Sequence, residues 1–228
     1  MKKLWVDFIA MIFPNYCLTC QQGLWKGEQL ICTKCIAHLP KTQSHIQSIE
    51  VLSQKFWGKV PLIQTLAYLK FTKQGIVQKL LHNLKYNNRP DIGETLGKWY
   101  GADLREKDLN QRIDIIIPVP LHPVKQKKRG YNQSEAFARG LAHTLEVDWT
   151  NKVLLRKTNT DTQTKKNRIE RWENVNKVFT VSNQTLIKDK YVLLVDDVVT
   201  TGATLEAASK VLLNHQAKGV SVATIAYA

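Results

Sequence analysis

The sequence predicts an α/β fold: a mostly parallel sheet flanked by helices, preceded by a small module built on cysteines. Three observations carry this. Beyond Leu104, strand-length apolar runs alternate with stretches of helical periodicity, the rhythm of β-α-β units. Lys190–Val195 and Gly219–Tyr227 read as nearly continuous apolar strands, the pattern of strands covered on both faces. All four cysteines fall in the first 35 residues as two C-x-x-C pairs, apart from the rest of the chain.

The 228 residues suit one domain plus an appendage, divided here as 1–40 for an N-terminal helix and cysteine module and 41–228 for the α/β domain. With 43% hydrophobic and 23% charged residues the chain can bury a core, which excludes a disordered polyelectrolyte. Nothing after Cys35 could form a disulfide, which argues against a stapled secreted domain. The formal charge of +14 favours polyanionic partners: nucleic acid, phosphorylated metabolites or an acidic membrane face. Leu121–Trp172 alone holds 12 basic and 5 acidic residues, either an anion-facing surface or a solvated loop. Leu4, Trp5, Phe8, Ile9, Ile12 and Phe13 give the N-terminus one apolar helical face. It is too short to span a bilayer and is interrupted by Asp7, so it is expected to dock on the protein's own body or touch a membrane surface. The cytoplasm, with peripheral contact at the inner face of the cell membrane as an alternative, is the expected location.

The elements follow in order. Ile36–Pro61 reads as a polar connector with a strand near its end. Ile76, Val77, Leu80, Leu81 and Leu84 recur at helical spacing up to the stop Asn87-Asn88-Arg89-Pro90, and a second helix covers Asp91–Leu104. Ile113–Ile117 is a buried-type strand ending at Pro118-Val119-Pro120, and Ser134–Leu145 a helix. Val153–Leu155 and Lys177–Val181 are short strands. The strand Lys190–Val195 leads through a loop into a helix over Ala203–His215, and Gly219–Tyr227 closes the chain.

Cys17-x-x-Cys20 and Cys32-x-x-Cys35 are eleven residues apart. Two thiolates from each tight turn supply opposite edges of a tetrahedron, the arrangement of structural zinc, and four protein ligands leave no open position for catalysis. Redox chemistry is the rival for a lone C-x-x-C pair and is weaker for two. Gly23 is expected to let the chain turn back around the metal.

The stretch most informative about chemistry is Tyr191–Leu205. A buried strand delivers Asp196 and Asp197 at its carboxyl end, where ligands of open α/β sheets collect. Thr200, Thr201, Gly202, Ala203 and Thr204 then lead into a helix, whose first N–H groups are unpaired and favour an anion. Gly202 permits close approach of a phosphate, the threonine hydroxyls can donate to it, and both aspartates can accept from ribose hydroxyls. An acidic pair capping an ordinary turn is the plainer alternative.

These residues resemble the phosphoribosyl-pyrophosphate motif of type I phosphoribosyltransferases. Pro118-Val119-Pro120-Leu121-His122-Pro123 with Arg129-Gly130-Tyr131-Asn132-Gln133-Ser134-Glu135 resembles the signature of the ComF family, as do Leu84-Lys85-Tyr86, Arg89-Pro90-Asp91, and the run Gln163, Arg171, Asn174 and Val175. With the cysteine pairs, the resemblance covers nearly the whole chain. It departs at Lys166, where a leucine is expected. The resemblance implies a type I phosphoribosyltransferase-like sheet with an N-terminal zinc ribbon. It also implies a cytoplasmic role beside the machinery of natural competence, which imports DNA as a single strand, with a competence helicase as partner.

Lys125, Lys127, Lys128, Arg129, Lys165, Lys166, Arg168 and Arg171 are the expected contacts to pyrophosphate or DNA. In phosphoribosyl transfer the leaving pyrophosphate gains charge, so cations and Mg²⁺ would assist its departure. No residue declares an acceptor. Three readings therefore stand at this point. One is a DNA-uptake factor binding single-stranded DNA through phosphate contacts and aromatics such as Tyr131 and Trp172. Another is a working phosphoribosyltransferase, and the third a scaffold whose pocket binds a sugar phosphate as a signal.

Overall fold

The computed structural model describes residues 15–156 and 178–228. The expected N-terminal helix and the basic residues Lys165, Lys166, Arg168 and Arg171 lie outside them, as do Gln163, Trp172, Asn174 and Val175.

Four parallel strands form the main sheet: β1 (Thr65–Lys70), β2 (Ile115–Pro118), β5 (Tyr191–Val199) and β6 (Gly219–Tyr227), in the order β1-β6-β5-β2. β3 (Leu154–Arg156) and β4 (Phe179–Val181) pair antiparallel in a separate two-stranded sheet. The helices are α1 (Thr33–Ala37), α2 (Glu50–Gln54), α3 (Ile76–Tyr86), α4 (Pro90–Arg105), α5 (Pro123–Arg129), α6 (Gln133–Leu145) and α7 (Ala203–Asn214). Among the described residues, no helix is long and apolar enough to cross a membrane.

Side chains alternate across the sheet, and the two faces bury different partners. Leu193, Val195, Ala223 and Ile225 join Leu80, Leu84, Ile92, Leu96, Phe137 and Leu141 of α3, α4 and α6. Val192, Leu194, Val220 and Val222 join Leu205, Ala208 and Leu212 of α7, together with Leu52 and Phe56. The first cluster also takes in Cys17, Leu30, Ile31, Cys32 and Cys35, so the cysteine module packs its apolar side onto the helices of that face.

α4 and α6 approach so closely that side chains are excluded between them. A Cβ at Gly97 would lie 2.4 Å from the Phe137 carbonyl oxygen, and one at Gly140 2.1 Å from that of Glu94. This contact places the amino end of α6 over the carboxyl ends of β2 and β5. Asn132 caps α6, accepting from the Ser134 N–H (3.1 Å) and donating to the Val119 carbonyl (2.9 Å), which ties the helix start to the end of β2.

Several expectations need correction. The connector carries the helix α2, and its strand, β1, lies later, after Pro61; β1 is short and follows a polar stretch, and its place is set by pairing to β6. β5 does not stop at Val195: β6 offers partners as far as Val199↔Tyr227, so the strand runs through both aspartates. Lys125–Arg129 do follow the end of β2, as expected, and form most of the short helix α5, with Pro123 at its first turn and Gly130 closing it at φ 79°.

Candidate functional site

β5 leaves the sheet at Val199, and the chain turns at Gly202, where φ is 84° and the conformation left-handed. A side chain there would be strained, and its Cβ would press on the Phe56 ring at 3.1 Å. α7 begins at Ala203 without a side-chain cap on Gly202. The Ala203 N–H reaches Thr201 Oγ1 at 3.4 Å, while the N–H groups of Thr201, Gly202 and Thr204 meet no acceptor among the described residues. Unpaired amides at a helix start, with the dipole behind them, attract an anion. The loop therefore presents open amides at the start of α7. Its hollow is about 30 Å³, bounded by Asp196 and the run Val198–Leu205.

Asp196 lines this hollow, whereas Asp197, next to it on β5, does not, and the two are not a matched pair. Asp196 Oδ1 accepts from the Ser134 hydroxyl and from the Asp197 N–H, both at 2.8 Å. Asp197 Oδ2 pairs with Lys85 Nζ at 3.0 Å, the two side chains being 16% and 22% exposed. Burial and then the neighbouring Asp197 carboxylate push Asp196 up to about 7, against the opposing pull of Ser134, the Asp197 N–H and Lys85. Each carboxylate keeps lone pairs for a further donor.

Ser134 and Lys85 are the site residues that reasoning on composition and spacing missed. Both stand in segments that resemble family signatures, which was the one signal available, and nothing local assigned them a role. α6 delivers Ser134 and α3 delivers Lys85, from the same face of the sheet.

Of the expected basic contacts, Lys125, Lys127 and Lys128 are exposed on α5. Arg129 is engaged elsewhere: it donates to Gln133 Oε1 at 2.6 Å and lies 5.5 Å from the centroid of the Tyr86 ring. Tyr131 is partly buried, with its hydroxyl donating to the Leu84 carbonyl, which fits packing better than base stacking.

The four cysteine sulfurs come together within 4.8 Å of one another and could hold a metal ion. Cys20 Sγ and Cys32 Sγ are 3.7 Å apart, and the Cys32 N–H donates to Cys17 Sγ at 3.4 Å. Tetrahedral sulfur ligands at ~2.3 Å from zinc would be separated by ~3.8 Å, so the donor set fits such an ion. Burial opposes the thiolate of Cys17, but N–H groups of Cys20, Cys32 and Thr19 and the Thr19 hydroxyl outweigh it and hold its pKa near 5. Burial pushes Cys35 up to about 12. Four thiolates cannot coexist here without a cation to neutralise them. Gly23 does not play the part expected of it: a Cβ there would meet nothing within 4 Å, and the left-handed turn residue is Gln21 at φ 62°.

Residues 107–228 match the family model described as the phosphoribosyl transferase domain. The chain is 27% identical over 225 residues to the DNA utilization protein YhgH of Escherichia coli K12, covering 92% of this chain and 95% of that protein. It is 31% identical over 137 residues to competence protein F of Haemophilus influenzae, covering 58% of this chain and 60% of that one. Competence protein ComFC of Bacillus subtilis is 25% identical over 215 residues, 88% of this chain and 85% of the relative.

Proposed function

Because this chain belongs to the phosphoribosyl transferase domain family, in its ComF branch, we propose that it serves DNA uptake or utilization by holding single-stranded DNA at the loop between β5 and α7. The observation that carries this reading is the set of unpaired amides opening α7 beside Asp196. A terminal phosphate of a strand presents the same oxygens as ribose 5-phosphate, and the amides grip either. The exposed Lys125, Lys127 and Lys128 on α5 take phosphates further along the strand. A zinc ion on Cys17, Cys20, Cys32 and Cys35 has a structural part in this reading, holding a segment too small to fold by burial alone.

The test is a titration of a fluorescent oligothymidine, with and without a 5′-phosphate, at several salt concentrations. Affinity should fall steeply with salt, and each of Lys125→Glu, Lys127→Glu and Lys128→Glu should lower the slope by roughly one. The 5′-phosphorylated strand should bind more tightly. Affinity indifferent to salt and to all three charge reversals would refute the reading.

A second reading, phosphoribosyl transfer from phosphoribosyl pyrophosphate, is favoured by one feature. Both acids and the threonine loop still stand together at the ends of the parallel strands, where such a donor would sit. Mg²⁺ bound with the pyrophosphate would neutralise the leaving charge. Release of pyrophosphate that stops in the Asp196→Asn, Asp197→Asn double variant would establish it. None released with any nucleobase or amine would count against it.

A further inference from the structure

α3 buries Val77, Leu80, Leu81 and Leu84 against the sheet, as its spacing requires. Its outer face is unusual for a chain with 33 lysines and arginines. Gln78, His82 and Tyr86, four residues apart, form one row. All three are exposed, Tyr86 by 59%. The His82 and Tyr86 rings have centroids 5.0 Å apart at 48°, too close to admit a base between them. Arg129 holds Tyr86 in place from one side, its guanidinium 5.5 Å from the ring centroid and itself anchored to Gln133.

This row connects two features. At the amino half of α3, a groove of about 590 Å³ runs between the helix and the cysteine module, walled by Thr19, Gln21, Gln74, Gln78, Lys79 and His82 among others. Lys79 Nζ closes its floor by donating to the Thr19 carbonyl at 2.7 Å. Side-chain amides of this kind both donate and accept, so they can meet the edge of any base. At the carboxyl half, Lys85 pairs with Asp197 of the candidate site. The eleven residues of α3 separate the two ends by about 16 Å.

We propose that the outer face of α3 is a base-stacking track for single-stranded DNA, with His82 and Tyr86 as its platforms, leading from the groove at the cysteine module to the loop before α7. The inference rests on the single-strand reading above and adds where the bases go. The cations and amides of the site take phosphates, whereas the track takes the flat faces of bases without regard to their identity, since every base has one. Arg129 supports the track by fixing the Tyr86 ring, which explains why this arginine is not free for phosphate. The cysteine module forms one wall of the entry, which gives its metal-bound shape a bearing on DNA binding.

The test compares full-length wild type with Tyr86→Ala, His82→Ala and Tyr86→Trp, using fluorescent oligothymidine across a range of salt. Tyr86→Ala should weaken binding roughly ten- to hundredfold and His82→Ala by less, with the salt slope unchanged because no phosphate contact is lost. Tyr86→Trp should restore the affinity, an outcome that loss of helix stability alone would not produce. If the double alanine variant, folded by circular dichroism, binds as tightly as wild type, the track is wrong while the single-strand reading stands. A drop in salt slope equal to that of a lysine variant also overturns it, since the residues would then act through phosphates. Should wild type fail to bind at all in low salt, the reading beneath it falls instead.

Discussion

Replacing Asp196 by asparagine tests the electrostatics of the candidate site directly. Asparagine keeps an oxygen that can accept from Ser134 and from the Asp197 N–H, so the geometry should survive. The change removes a carboxyl that burial and Asp197 hold at about 7 in the folded protein, against ~3.9 in an unfolded chain. The sign follows from proton binding. The folded state holds the proton more tightly, so this group's contribution is fully present below pH ~4 and is lost as pH rises through about 7. Three pH units at ~1.4 kcal/mol each set a ceiling of about 4 kcal/mol on that loss. Urea unfolding followed by fluorescence from pH 4 to 8 should therefore show wild type declining relative to Asp196→Asn, with the variant the more stable above pH 7. The same ionisation prepares Asp196 to accept from a ribose hydroxyl, so binding of ribose 5-phosphate should strengthen over this interval by more in wild type than in the variant, where only the ligand's own phosphate ionisation near pH ~6 remains. Two stability curves that run parallel from pH 4 to 8 would refute the account of Asp196 as a desolvated acid beside a second carboxylate.

Further outcomes follow from the packing and the metal site. Gly140→Ala should destabilise the protein by about 3 kcal/mol, because its methyl would meet the Glu94 backbone and force α4 and α6 apart; thermal unfolding reads this as a lower Tm. The same variant should also weaken ribose 5-phosphate binding, since α6 carries Ser134. Purified protein should contain one zinc per chain by atomic emission, and a strong chelator should lower the Tm and render four thiols reactive, the exposed Cys20 among the first. Lys85→Met should raise the Asp196 pKa further, because Lys85 is one of the groups that lowers it, and so move the pH dependence of ribose 5-phosphate binding upward.

What could be read from the residues in order was whatever depends on neighbours along the chain. The helices α3, α4, α6 and α7 follow from apolar spacing and from stops such as Asn87–Pro90, and β5 and β6 from apolar runs. The loop between β5 and α7 follows from Gly202, which must stand where the backbone turns left-handed. The metal cluster follows from two tight cysteine turns, which bring their thiols together by local geometry once the segment between them folds back.

The rest was decided by contacts between elements distant in sequence. Ser134 meets Asp196 across 62 residues, and no period or motif of either segment announces the pair. Lys85 reaches Asp197 because α3 lies on the face of the sheet toward which that acid points, which is a property of the layer order β1-β6-β5-β2 and of the helices above it. The strand expected near Pro61 falls later, at β1, because a six-residue strand is fixed by its partner, and β5 lengthens past its apolar run because β6 supplies hydrogen bonds for the acidic part. Even the charge state of Asp196 is tertiary, set by burial and by a second carboxylate on the same strand. Local spacing thus selected the kind of fold and the loop that grips an anion. Only packing decided which side chains surround that loop, because burial, pairing and charge proximity depend on distance in space.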